Sequence, residues 1–299
     1  MMRDANTMMR GRTQFLLAVF FCIAPAVADV QSEAGSTYSE VFYLSGNLRI
    51  QAYLYRPDGN GPFPVVIYNH GSRDGRESAS VPFQYIGDML TRAGYVVFVP
   101  ERRGYGKSDG PTWRQDVGND QSMLIARLQA ETDDVLAAID YLRTVPFADT
   151  SRIGIMGWSF GGIVTMLAAS RSTAFVVAVD QAGGALTWDG NAYVRRAVVA
   201  AAEKSMAPTL FMVAKNDRTI LSITTPAEIF KTRQIPHRMI VYEPFTPAEG
   251  TRVMAPGHAL FSEQGASVWE SDLVQFLGRY LGATVSDKRG GAAAPKAKQ

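Results

Sequence analysis

The chain has 299 residues, 46% hydrophobic and 19% charged, which suffices for one large core and excludes a wholly disordered chain. Thirty Lys and Arg stand against 28 Asp and Glu. That balance lacks the basic excess of nucleic-acid-binding proteins, so no nucleic-acid partner is expected.

Residues 1–28 differ from the rest. Arg3, Arg10 and Arg12 precede the apolar run from Phe15 to Val27, which closes on Ala26-Val27-Ala28. The pattern predicts a signal peptide cleaved after Ala28 and an exported chain, periplasmic or secreted. The run is too short to cross a hydrocarbon core of about 30 Å as a helix, so the mature chain is expected to have no membrane span. The single cysteine, Cys22, lies in this run without the small residues that precede a lipidated cysteine.

A hairpin comes next, with alternating segments 40–44 and 48–55 around Ser45-Gly46-Asn47. Short runs apolar on both faces follow at 65–68, 96–99, 153–156, 175–179, 209–213 and 239–242, as in strands of a helix-covered parallel sheet. Helices are expected at 83–93, from near Asp120 to Pro146, and at 161–170, 192–202, 227–234 and 266–280. In the second, Leu124, Leu128, Val135, Ile139 and Leu142 form the apolar stripe, and Arg127, Glu131, Asp134 and Arg143 fill the other faces. The fold class is α/β, a mostly parallel sheet of about eight strands flanked by helices, with a small cap or none. One domain is expected over 29–282, followed by a Gly/Ala/Lys-rich disordered tail over 283–299.

Gly157-Trp158-Ser159-Phe160-Gly161 follows the strand ending at Met156 and opens a helix. A strand-to-helix turn this sharp crowds the backbone, so the residues two before and two after the serine must lack a Cβ. Ser159 is the expected nucleophile, at a helix N-terminus that favours a developing oxyanion.

Of the three histidines, His70 precedes the serine and His237 starts the last strand, at the sheet edge opposite the expected site. His258 alone lies after the last strand, matching the chain order Ser, acid, His of this elbow's fold. The acid is expected at Asp217, whose neighbours Asn216 and Arg218 form a turn after strand 209–213. Asp180, at the end of the preceding strand, is the rival. Oxyanion donors are expected from the backbone N–H groups of Phe160 and Ser72, with Gly71 allowing close approach and His70 supporting that loop. The charges in Glu101-Arg102-Arg103 read as structural, and Arg73 and Arg76 as a solvated loop rather than a cationic rim for substrate.

His70-Gly71, Arg103-Gly104-Tyr105-Gly106-Lys107-Ser108, the Gly157–Gly162 elbow, Asp217 and Gly257-His258 together resemble the α/β-hydrolase superfamily. The elbow and the Gly-His-x-x-Phe ending resemble dienelactone hydrolases, and Gly-Trp-Ser-Phe-Gly-Gly also resembles the prolyl oligopeptidase catalytic domain. Ser159 stands where dienelactone hydrolases usually carry cysteine. The resemblance implies a serine hydrolase of small carboxylic esters that needs no metal or organic cofactor. A serine peptidase or amidase is the alternative, and a catalytically silent binding protein the third reading. Segment 181–208 has room for one helix, with Tyr193, Val194, Ala197, Val198 and Ala201 as its apolar stripe along one side of a pocket, too little for a deep acyl channel.

Overall fold

A computed structural model describes residues 37–282, except 74–75, 119, 121 and 250–254. The predicted signal peptide and C-terminal tail lie outside the described residues. The chain runs β1 (Tyr38–Ser45), β2 (Leu48–Tyr55), β3 (Phe63–Asn69), α1 (Gln84–Arg92), β4 (Val96–Glu101), α2 (Trp113–Asp116), α3 (Met123–Leu142), β5 (Ala148–Trp158) and α4 (Phe160–Arg171). It continues through β6 (Phe175–Gln181), α5 (Ala192–Lys204), β7 (Thr209–Ala214), α6 (Leu221–Thr232), β8 (His237–Tyr242), a 3₁₀ segment Pro256–Phe261 and α7 (Ala266–Leu281).

All eight strands join one sheet in the order β1-β2-β4-β3-β5-β6-β7-β8, in which β2 alone runs against the others. The chain leaves β3 for β4 on one side and crosses back to β5 on the other. The C-terminal ends of β3 and β5 therefore flank the point where strand order reverses, which is where parallel sheets open a crevice.

Side chains from paired strand positions share a face, and this assigns the helices. Asn69 bonds Thr165 of α4 at 3.0 Å, while Gly154, of opposite parity to Gly157, faces Leu277 and Leu281 of α7. Helices α3 to α6 cover one face, and α1 and α7 the other. Helix α4 is buried from Gly161 to Ala169, because it lies between the sheet and α3 and α5.

Three expectations need correction. Arg127, Glu131 and Asp134 of α3 are buried, not solvated. Arg127 and Arg102 share the Glu131 carboxylate at 2.8 and 2.7 Å, and Arg103 pairs with Asp134 at 2.7 Å. A helical pattern shows only that a position is charged, and interior partners from β4 and its loop satisfy these charges. Helix α6 begins at Leu221, so Pro226 lies inside it rather than just before it. In α5 the buried residues are Val194, Val198, Ala201 and Ala202, with Tyr193 exposed. This helix packs against α3, α4 and α6 as an ordinary crossover; the cavity its residues line faces α3 and α4, not the serine turn.

Removing one partner of a buried charge pair strands the other, at a cost of about 3–5 kcal/mol. Glu131→Ala, which orphans Arg102 and Arg127 together, should lower the unfolding free energy by at least about 3 kcal/mol in urea titration.

Candidate active site

Ser159 occupies the one-residue turn between β5 and α4 with φ 60 and ψ −117, a conformation costly for a residue with a side chain. Its neighbours enforce it. A Cβ at Gly157 would strike the Gly161 carbonyl, and one at Gly161 would strike the carbonyl oxygen of Asn69 at the end of β3. The strained backbone is fixed by Ser159 N–H donating to Gln181 O at 2.9 Å and by Ser159 O accepting from Gly162 at 3.0 Å.

The loop after β3 lies against the serine, since a Cβ at Gly71 would sit 3.4 Å from that of Ser159. Among the described residues, neither the Phe160 nor the Ser72 N–H bonds to another protein group. Phe160 opens α4, so its N–H is one of the four donors that a helix leaves unpaired.

Arg73 holds this loop, which corrects the solvated reading of that residue. It is 9% exposed, forks onto both oxygens of Glu101 and donates to Ala79 O at 2.8 Å. Glu101 also accepts from the Val81 N–H at 2.7 Å. Burial raises the Glu101 carboxyl above its ordinary range, against the opposing pull of Arg73. Arg76 is exposed, as expected. His70 is fully buried under the loop, with Nδ1 2.7 Å from Gly71 O and its own carbonyl accepting from Arg102 at 2.8 Å. Burial, then Arg102 and Arg73, hold its pKa well below the usual histidine value, so it is a neutral structural group.

Asp217 and His258 meet, with Nδ1 donating to Oδ2 at 2.8 Å and both side chains buried. The other Asp217 oxygen accepts from the Arg218 N–H at 2.7 Å. Asn216 clamps this turn to Phe245 after β8 through two amide bonds of 2.9 Å. Gly257 packs against the Asn216-Asp217 backbone so closely that a Cβ would overlap it, which delivers the next residue, His258, onto the carboxylate. With Nδ1 engaged, Nε2 is the acceptor nitrogen, and it is unpartnered among the described residues. No hydrogen bond joins it to Ser159 Oγ in this structure. The Trp158 ring lies 5.5 Å from the imidazole, so the residue before the serine packs against His258.

Asp180 is not joined to His258. Its parity matches Gly157, so it points to the α4 face, accepts from the Gly183 N–H at 2.8 Å and packs against Gly162. His237 stands at the start of β8, bonded to Ile235 O at 2.9 Å, at the sheet's other end. The reading of the sequence missed the Trp158–His258 contact and the Arg73–Glu101 pair. The period-2 alternation of β5 could have shown that Trp158 faces away from α4, whereas the ion pair joins residues with no periodic relation.

The sequence model of the dienelactone hydrolase family matches residues 50–248. The chain belongs to the dienelactone hydrolase family. This α/β hydrolase is 28% identical over 153 residues to a putative carboxymethylenebutenolidase of Synechocystis, covering 48% of this chain and 57% of that protein. It is 24% identical over 241 residues to dipeptidyl-peptidase 5 of Porphyromonas gingivalis, covering 71% of this chain and 34% of the peptidase. The chain thus spans less than two thirds of the curated relatives it matches. The fold matches Pyrococcus horikoshii acylaminoacyl peptidase with TM-score 0.63 at 18% identity, over 82% of this chain and 42% of that one. It matches the Pyrococcus furiosus esterase Pf2001 with TM-score 0.57 at 16% identity, over 82% and 91%.

Burial pushes the Asp180 carboxyl up to about 7. The folded state therefore holds its proton more tightly than the unfolded chain. This stability is complete below about pH 4 and is lost as pH rises through about 7. Asp180→Asn should remove that decline, visible as an unfolding-midpoint difference from wild type that grows in the variant's favour between pH 5 and 8.

Proposed function

We propose that this family member is a serine hydrolase of carboxylic esters, with Ser159 as nucleophile, His258 as general base and Asp217 as orienting acid. The reading rests chiefly on the 2.8 Å Asp217–His258 bond beside the strained serine turn. His258 Nε2 takes the hydroxyl proton as Ser159 Oγ attacks the carbonyl carbon. Asp217 keeps the imidazole in the Nδ1–H tautomer and stabilises the imidazolium. The N–H groups of Phe160 and Ser72, aided by the α4 dipole, hold the oxyanion. The imidazolium then protonates the departing alcohol, and water, activated by the same nitrogen, releases the acid.

The same groups would serve a peptidase, so matched ester and anilide substrates separate the two. We also propose that residues 1–28 export the protein. Among the described residues no helix is long and apolar enough to cross a membrane.

Ser159→Ala and His258→Ala should each lower kcat for p-nitrophenyl acetate by roughly 10³ to 10⁶, and Ser159→Ala should abolish fluorophosphonate labelling. Asp217→Asn should cost on the order of 10⁴. Asp180→Asn should cost less than about tenfold, and the reverse ranking would move the acid to β6.

Because α5 lies within the helical layer, segment 181–208 supplies no enclosing helix for a long chain. Each buried CH₂ contributes about 0.8 kcal/mol, so acyl preference reports pocket depth. For p-nitrophenyl esters, kcat/KM should peak at short acyl chains. A continued rise through octanoyl would indicate a deep channel.

A further inference from the structure

Against Trp158 lies a groove of about 600 Å³ between α1 and the segment that follows His258. Val81, Phe83, Tyr85 and Trp158 form its apolar and aromatic walls, and Asp88 and Glu263 supply its charge. Among the described residues, no Lys or Arg lines it. The cation of α1, Arg92, is paired with Glu270 at 3.1 Å. Among the described residues, neither Asp88 nor Glu263 is ion-paired.

The groove is tied to the catalytic groups through its walls. Trp158 directly precedes Ser159 and packs against His258 at 5.5 Å. The Tyr85 hydroxyl donates to Phe261 O at 3.0 Å, joining α1 to the 3₁₀ segment that carries the base. The Trp158 indole N–H is buried and has no protein partner among the described residues.

Resting on the proposed serine-esterase reading, we infer that this groove is the leaving-group subsite and takes alcohols that carry an ammonium group on an apolar body. The chemistry fixes the side. The imidazolium gives its proton to the departing alkoxide, so the alcohol must lie on the imidazole side of the serine, the side on which the Trp158 wall of the groove meets the ring. The walls fix the class. Aromatic faces attract a cation, weakly hydrated alkylammonium groups most readily, and two carboxylates without a cationic partner favour it further. A neutral or anionic alcohol gains nothing from Asp88 and Glu263.

The test compares two thioesters with the same acetyl group, acetylthiocholine and its uncharged isostere 3,3-dimethylbutyl thioacetate, by thiol release. Wild type should favour the cationic ester in kcat/KM by about fivefold at low salt, and the preference should shrink by 0.5 M NaCl. In the double variant Asp88→Asn, Glu263→Gln the cationic-to-neutral ratio should fall to about one. That ratio is internally controlled against partial misfolding. A wild-type ratio at or below one, or a ratio untouched by the double substitution, overturns the subsite while leaving the esterase reading intact.

Failure of both esters and of p-nitrophenyl acetate would instead sink the esterase reading. The groove is then judged by binding alone. Benzyltrimethylammonium should quench the tryptophan fluorescence of Ser159→Ala saturably, and the quench should be lost in Trp158→Phe. Absence of a Trp158-dependent quench would reject the cation site whatever the enzyme's substrate.

Discussion

The site depends on how closely α4 approaches the end of β3. Gly161 rests on the Asn69 carbonyl with no room for a methyl group, and Asn69 reaches across to Thr165 at 3.0 Å. This contact leaves the chain one residue in which to turn from β5 into the helix, and Ser159 takes the left-handed φ that results. The same contact brings the Gly71-Ser72 backbone beside the serine. The serine turn and the loop beside it are thus set by one packing constraint, and backbone strain is offset by burial of α4.

Around that contact the protein uses charge for geometry. Asp116, Arg127, Glu131 and Arg102 form a chain of ion pairs that ends on the His70 carbonyl, while Arg73 and Glu101 fasten the loop from the other side. Buried pairs contribute little net stability, because desolvation consumes most of their attraction. What they supply is direction, since a guanidinium fork accepts few arrangements of its partners. The loop that carries Ser72 is held by such forks, not by regular secondary structure.

The strands and the elbow were legible in the sequence because each rests on local chemistry: apolar runs of β-branched residues, and glycines two before and two after a serine. The meeting of Asp217 with His258 was legible because Asn216 and Arg218 marked a turn where Asp180 had none, and parity explains why Asp180 points under α4. The interior charges of α3 were not legible, since Glu131 looks the same whether it meets water or two arginines. The start of the helix expected at 227–234 was not legible either. Pro226 suits a first helical turn, yet α6 starts at Leu221, six residues before the expected start at 227.

The Asp217–His258 bond has a consequence for the order of synthesis. It closes across 41 residues, and the segment bearing the histidine is anchored to α1 by Tyr85 and Phe261, 176 residues apart in the chain. A nascent polypeptide that has already emerged through α6 carries the serine turn and the carboxylate but no base to join them. The histidine arrives only with the last helix, whose docking on β5 and β6 brings the two ends of the fold together. Of the three groups in the proposed mechanism, the base is therefore the last to be synthesised, and it reaches its carboxylate only when the C-terminal helix docks.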